Sequence, residues 1–372
     1  MTGHSWKLMR IFGIEIRIDP SWLIIATLIS YSLFFGLKAV YPAAGTMPTV
    51  VISVLGAVLF FTSVLLHELT HAVVARRRGL AVKDITLFLF GGATEANVES
   101  KGPVNEFVVS VVGPLSSFVL ALVFAAVRAL VLSVADGALA GVLGYLAWAN
   151  VLLGVFNFLP GLPLDGGRVL RSALWKSTGD LDRSTKVASV VGEVLGYALI
   201  AVGALVFFAG GIFQGLWFAA IGWFLSASAR ASYAQMRIRR SLEHVEAAEV
   251  MESDPVRIPL GTTVTDAVHD YLLRHDHDAF AIEDHGHIVG VVTLESVRKL
   301  PRNDWSTHRI EGVMSPVTKD TIVDPHASMD TVLNRLEESP EAIAVGRPDH
   351  VVGIITRWDL ATWLRRRHAL AA

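Results

Sequence analysis

Cysteine is absent from all 372 residues. Disulfides and thiolate metal ligands are thereby excluded, and any metal must be held by His, Asp or Glu. Charge is scarce too. Asp, Glu, Lys and Arg make up 18% of the chain, against about 25% in ordinary soluble proteins. Hydrophobic residues reach 52%, so a large part of the chain is expected in lipid. Histidine is rare in the first 243 residues, where only His4, His67 and His71 occur. A signal peptide is not expected. The polar, part-basic opening (Lys7, Arg10, Arg17) runs into the first apolar segment without a small-residue cleavage site.

Six apolar segments remain, at about 21–40, 49–75, 104–134, 138–158, 187–209 and 211–229. Each has, or nearly has, the roughly 20 residues that a helix needs to cross a bilayer. The loops at 41–48, 135–137 and 210–211 lack Lys and Arg. The other connections are basic, with Arg76, Arg77, Arg78, Lys83 and Lys101, then Arg168, Arg171, Lys176, Arg183 and Lys186, then Arg230, Arg237, Arg239 and Arg240. All the basic loops thus fall on one side. The positive-inside rule then predicts a multi-pass cell-membrane protein with both termini cytoplasmic.

The net charge of −2 conceals an asymmetry. Basic residues predominate through Leu242 and acidic ones beyond it. That division suits a membrane half and a soluble half, and no nucleic-acid partner is expected. The second half repeats itself. Val250-Met251 recurs as Val313-Met314, and Gly290–Thr293 recurs as Gly353–Thr356. Each unit reads strand, helix, strand, strand, helix, with helices at 263–274 and 327–338. Strand pairs are expected at 279–283 with 287–293, and at 342–346 with 350–355. The domains expected are a membrane domain (1–229), a linker helix (230–249), and α/β modules at 250–310 and 311–372.

His67-Glu68-Leu69-Thr70-His71 is an H-E-x-x-H motif. On a helix, positions i and i+4 share a face, so both imidazoles can reach one Zn²⁺. Glu68, beside them, can take the proton of the attacking water. The motif lies at the expected cytoplasmic end of an apolar span, where ionisable residues are costly and default to function. A catalytic zinc keeps three protein ligands. Asp165 is the favoured third. It follows the fourth span, on the same expected side, in a Pro- and Gly-broken segment (Asn157 to Arg168) able to turn inward. Glu95, Glu99, Glu106 and Glu193 are the rivals, with Glu193 read as structural.

Together these residues resemble the site-2 protease family of intramembrane zinc metalloproteases. The resemblance is carried by HELTH at 67–71, FGGATE at 90–95, GPLSS at 113–117 and NFLPGLPLDGG at 157–167. It implies zinc held by His67, His71 and Asp165, one ion per chain, and Asn157 as a donor to the oxyanion. It also implies that Gly91 and Gly92 bind substrate in a loop that dips into the membrane. The strand read at 84–90 could pair there with an unwound substrate segment, a plain hairpin turn being the alternative. Gly113-Pro114 is read as a helix kink. Ser117 stands where the family often has asparagine, which argues against a polar role there.

The repeats resemble a pair of CBS modules, which often bind adenosine nucleotides and often dimerise. The ribose-contacting run is kept in the second unit as Gly353, Thr356 and Asp359. In the first unit Gly290 and Thr293 remain but Ser296 replaces the aspartate. A nucleotide at Thr356 and Asp359, and a homodimer, are therefore expected. The fold class expected is an α-helical polytopic membrane protein with a small re-entrant β element and a cytoplasmic α/β CBS pair. The function expected is proteolysis within a transmembrane segment of another membrane protein, such as an anti-sigma factor. A nucleotide-gated transporter or channel is the alternative.

Overall fold

The computed structural model describes residues 5–371 apart from 81, 90, 97–101, 133–136, 243–244, 276, 320, 339–341 and 348–349. The chain divides into two compact units, Met1–Met236 and Arg237–Ala372.

The first unit opens with a hairpin of β1 (Trp6–Ile11) and β2 (Ile14–Ile18), turning on Phe12 and Gly13, both at positive φ. The polar N-terminal stretch is thus a piece of sheet. Its alternation explains this. Ile14 and Ile16 point inward while Glu15 and Arg17 face the other way, where Lys7 and Asp84 meet them. Helices α1 (Ser21–Val40) and α2 (Thr46–Arg77) follow. Strands β3 (Val82–Phe88) and β4 (Gly91–Ala96) then extend the hairpin into one sheet, ordered β1-β2-β3-β4. The β2–β3 pairing is parallel, Glu15 opposite Asp84 through Ile18 opposite Leu87. Ile14, Ile16 and Ile85 bury themselves against Ala72 of α2, which seats the sheet beside His71.

Helices α3 (Pro103–Leu132), α4 (Ala138–Asn157), α5 (Asp165–Thr178), α6 (Leu181–Phe208) and α7 (Ile212–Leu242) complete the unit. Among the described residues, six helices are long and apolar enough to span a membrane: α1, α2, α3, α4, α6 and α7. The fold is that of a polytopic helical membrane domain. Small residues let the helices close on one another. A Cβ on Gly56 would stand 2.9 Å from Val142, and one on Gly203 2.7 Å from the Gly215 carbonyl.

Two segments differ from expectation. The fifth span begins six residues earlier, at Leu181, where Asp180 caps the helix by accepting from the Arg183 N–H. The stretch read as a separate linker is mostly a continuation of α7, which runs unbroken to Leu242.

The second unit holds α8 (Ala247–Val250), β5 (Arg257–Pro259), α9 (Val264–Ala267), β6 (Ala279–Asp284), β7 (His287–Thr293), α10 (Leu294–Arg298) and β8 (Ser315–Pro316). Then come β9 (Ile322–Val323), α11 (Met329–Glu338), β10 (Ile343–Arg347), β11 (His350–Ile355) and α12 (Arg357–Ala371). The sheets are β5-β6-β7-β8 and β11-β10-β9, each with a parallel outer pair and an antiparallel hairpin. Each repeat has its own core, around Phe280, Ile282 and Val292 in one and Val332, Ile343 and Ile355 in the other.

Candidate metal centre

The helix α2 carries His67 and His71 one turn apart and buried. Asp165 comes from the first turn of α5, nearly a hundred residues on. A tight segment at 158–164 brings it there. The Leu162 N–H donates to the Ala188 carbonyl of α6, 3.0 Å. A Cβ on Gly166 or Gly167 would overlap the backbone of this segment, which is why only glycine serves after the aspartate.

Three ligand-type atoms converge. His67 Nε2 lies 3.2 Å from Asp165 Oδ2, His71 Nε2 lies 3.1 Å from it, and the two Nε2 atoms are 3.3 Å apart. Ligand atoms about 2.0 Å from a tetrahedral ion stand about 3.3 Å from one another. The donor set, two imidazoles and a carboxylate, is that of a catalytic zinc site with one position left for water or substrate. Among the described residues this is the one group of three or more such side chains close enough to share an ion.

The outer ring nitrogens are also engaged. His71 Nδ1 donates to the Val109 carbonyl, 2.6 Å, and His67 Nδ1 lies 2.9 Å from Ser117 Oγ. A carbonyl can only accept, so His71 carries a proton on Nδ1, and Nε2 is the ring nitrogen that faces the centre. The reading that Ser117 lacks a polar role is corrected here. The side chain is fully buried and meets a ring nitrogen.

The rivals go elsewhere. Glu106 of α3 is fully buried against Arg171 of α5, whose Nε donates to it at 2.7 Å and whose Nη2 makes a second, shorter bond. Arg171 is therefore not a loop cation, as the charge pattern had it. Glu193 faces Arg230 at 3.9 Å. Glu99 and the Glu95 side chain lie outside the described residues.

Of the other expected site residues, Gly92 adjoins the centre. A Cβ there would overlap Glu68 Cγ and sit 3.0 Å from Cδ, so β4 lies directly over the glutamate. Gly91 has positive φ and open space at its Cβ position. Asn157, at the last turn of α4, donates from Nδ2 to the Leu153 carbonyl, 3.0 Å. Thr356 and Asp359 lie at the start of α12. The Thr356 N–H and Oγ1 both donate to Asp359 Oδ2, at 2.8 and 2.7 Å.

The sequence profile of Peptidase family M50 matches residues 55–135 and 132–202, and that of the CBS domain matches 247–303 and 310–366. Rip3 of Mycobacterium tuberculosis, which bears a zinc-metalloprotease name, is 36% identical over 361 residues, 95% of this chain and 91% of that protein. This chain belongs to peptidase family M50. Zinc metalloprotease MJ0392 of Methanocaldococcus jannaschii is 25% identical over 367 residues, 96% of this chain and 95% of that protein. The solved site-2 protease from Methanocaldococcus jannaschii shares 26% identity, with a TM-score of 0.43, over 62% of this chain and 95% of that one. This M50 protein is thus a multi-pass membrane protein of a zinc-metalloprotease family, followed by two CBS domains.

Proposed function

We propose that this chain hydrolyses peptide bonds inside transmembrane segments of other membrane proteins, with one Zn²⁺ held by His67, His71 and Asp165. The observation that carries this is the convergence of two Nε2 atoms and one carboxylate oxygen at 3.1–3.3 Å within an apolar helical bundle. When bound there, the ion supplies a Lewis acid that polarises a carbonyl and makes water acidic near neutral pH.

The remaining work falls to the chain. Glu68 receives the proton of the attacking water on its carboxylate and delivers it to the leaving amine nitrogen. Asn157 supplies an amide N–H to the developing oxyanion, exchanging its present bond to Leu153. Gly91 and Gly92, on the outer strand of the sheet over Glu68, bind the substrate backbone as an added strand. The motif ends five residues, or roughly 7.5 Å of helix, before Arg76, the first of the arginines that end α2. Those arginines favour cytoplasmic termini and release of a cytoplasmic substrate fragment, such as a transcription regulator or an anti-sigma factor.

The CBS pair is the regulatory part. An adenosine nucleotide would meet Thr356 and Asp359, and a second copy of the pair would form a homodimer. Burial pushes the Asp359 carboxyl up, and its bonds from Thr356 pull it back. The transporter alternative loses its support, since the chain belongs to a peptidase family.

The test is cleavage of a single-span reporter in proteoliposomes. Glu68→Gln should keep one zinc per chain by metal analysis and lose at least about 10²-fold in rate. Normal cleavage by that variant would refute the mechanism.

A further inference from the structure

One face of α3 touches both histidines of the metal centre and the helix that carries Asp165. Glu106, Val109, Ser110, Gly113 and Ser117 recur at helical spacing and are all buried, whereas Phe107, Leu115, Val119 and Leu122 on the other side are exposed. Along that face, Glu106 pairs with Arg171 on the helix that begins with Asp165. The Val109 carbonyl takes the His71 Nδ1 hydrogen, and Ser117 Oγ meets His67 Nδ1. Gly113 lies between them. A Cβ there would overlap His71 Nε2 and stand 2.8 Å from His67 Nε2.

These contacts answer a problem that H-E-x-x-H leaves open. Two imidazoles on one helix face can each turn about the Cβ–Cγ bond and present either nitrogen. Which nitrogen faces the ion is set by what holds the other. Each residue of Gly113-Pro114-Leu115-Ser116-Ser117 that faces the centre has a part in this. Gly113 removes the side chain that would fill the ligand space. Ser117, one turn beyond, receives His67.

We propose that this stretch of α3 is an aiming device for the two histidines, and that Ser117 is a positioning residue that holds His67 with Nε2 toward the ion. The proposal rests on the zinc reading above. It differs from the kink reading of Gly113-Pro114, which assigns these residues to helix packing alone.

The experiment uses the full-length protein in detergent or nanodiscs, stripped of metal and titrated with Zn²⁺ against a competing chelator. Cobalt substitution reports the ligand field by its visible absorption. Ser117→Ala should weaken zinc binding about 10- to 100-fold, the usual effect of losing such a partner, and alter the cobalt spectrum. The melting temperature of its metal-free form should stay that of the wild type. Ser117→Thr, which keeps the hydroxyl, should restore affinity and spectrum. Gly113→Ala should bind neither metal while its metal-free form still folds. Wild-type zinc affinity in Ser117→Ala or Gly113→Ala would overturn the proposal. So would a fall in metal-free melting temperature that tracks the loss of affinity, since Ser117 would then be a packing residue. A wild-type protein that binds no zinc would instead overturn the zinc reading itself, and this inference with it.

Discussion

Glu68 has a close neighbour on the strand beside it. Gly92 lies so close that any side chain there would push the carboxylate away. Gly92→Ala should therefore leave zinc content unchanged and lower kcat by about 100-fold, the scale expected of an ångström-sized misplacement. Reporter cleavage alongside metal analysis checks this. A different pair reports on the soluble unit. His326 Nδ1 lies 2.6 Å from Glu246 Oε2, and that bond raises the His326 pKa above its ordinary value. A raised imidazole pKa stabilises the folded form below the usual value of about 6.5, and the gain is lost as pH climbs through the raised one. Glu246→Gln should thus lower the melting temperature of the soluble unit at pH 6 and match the wild type at pH 9. Equal melting at both pH values would dismiss the contact as a surface coincidence.

At the scale of elements, the pair Glu106–Arg171 clamps α5 to α3 and so sets where Asp165 arrives. Both groups are buried, and a buried charge that loses its partner is costly. Arg171→Met should destabilise the membrane unit by about 3–5 kcal/mol, whereas Glu106→Leu with Arg171→Met should recover most of that. Denaturant titration of the three proteins in detergent distinguishes these outcomes. The same helices mark what could be read from sequence. The spans were legible because twenty apolar residues admit few other fates. HELTH was legible because its spacing is local, and Asp165 because chain topology returned it to the same side. The β1–β2 hairpin was hidden by its short length and by charges that, in the fold, pair across strands. The short helix α5 was hidden because Asp-Gly-Gly reads as a turn until packing requires glycine there. The link from Ser117 to His67 spans fifty residues, and no local pattern announces a contact between two separate helices.

For the whole molecule, the lack of cysteine becomes a tool. Any introduced cysteine is the sole thiol in the chain. With cytoplasmic termini, Gly137→Cys should react with an impermeant maleimide in intact cells, and Lys176→Cys only after the membrane is opened. The reverse pattern would invert the orientation. The two CBS units were legible as a repeat because duplicated spacing survives divergence. Their capping contacts were half legible. Thr293 with Ser296, and Thr356 with Asp359, each close the first turn of a following helix. The aspartate therefore has a structural use whether or not a nucleotide meets it.

The anchor of His71 is a main-chain oxygen. Nothing encoded at position 109 can remove it, because every amino acid carries that carbonyl. Position 109 is thus free to drift among apolar residues that fit its buried setting, while position 117 is held to side chains able to meet an imidazole. In a saturation scan scored by cleavage, the two anchors would look unalike. Position 117 would register as intolerant, and position 109 would report only volume, so one half of the histidine support would be invisible to genetics.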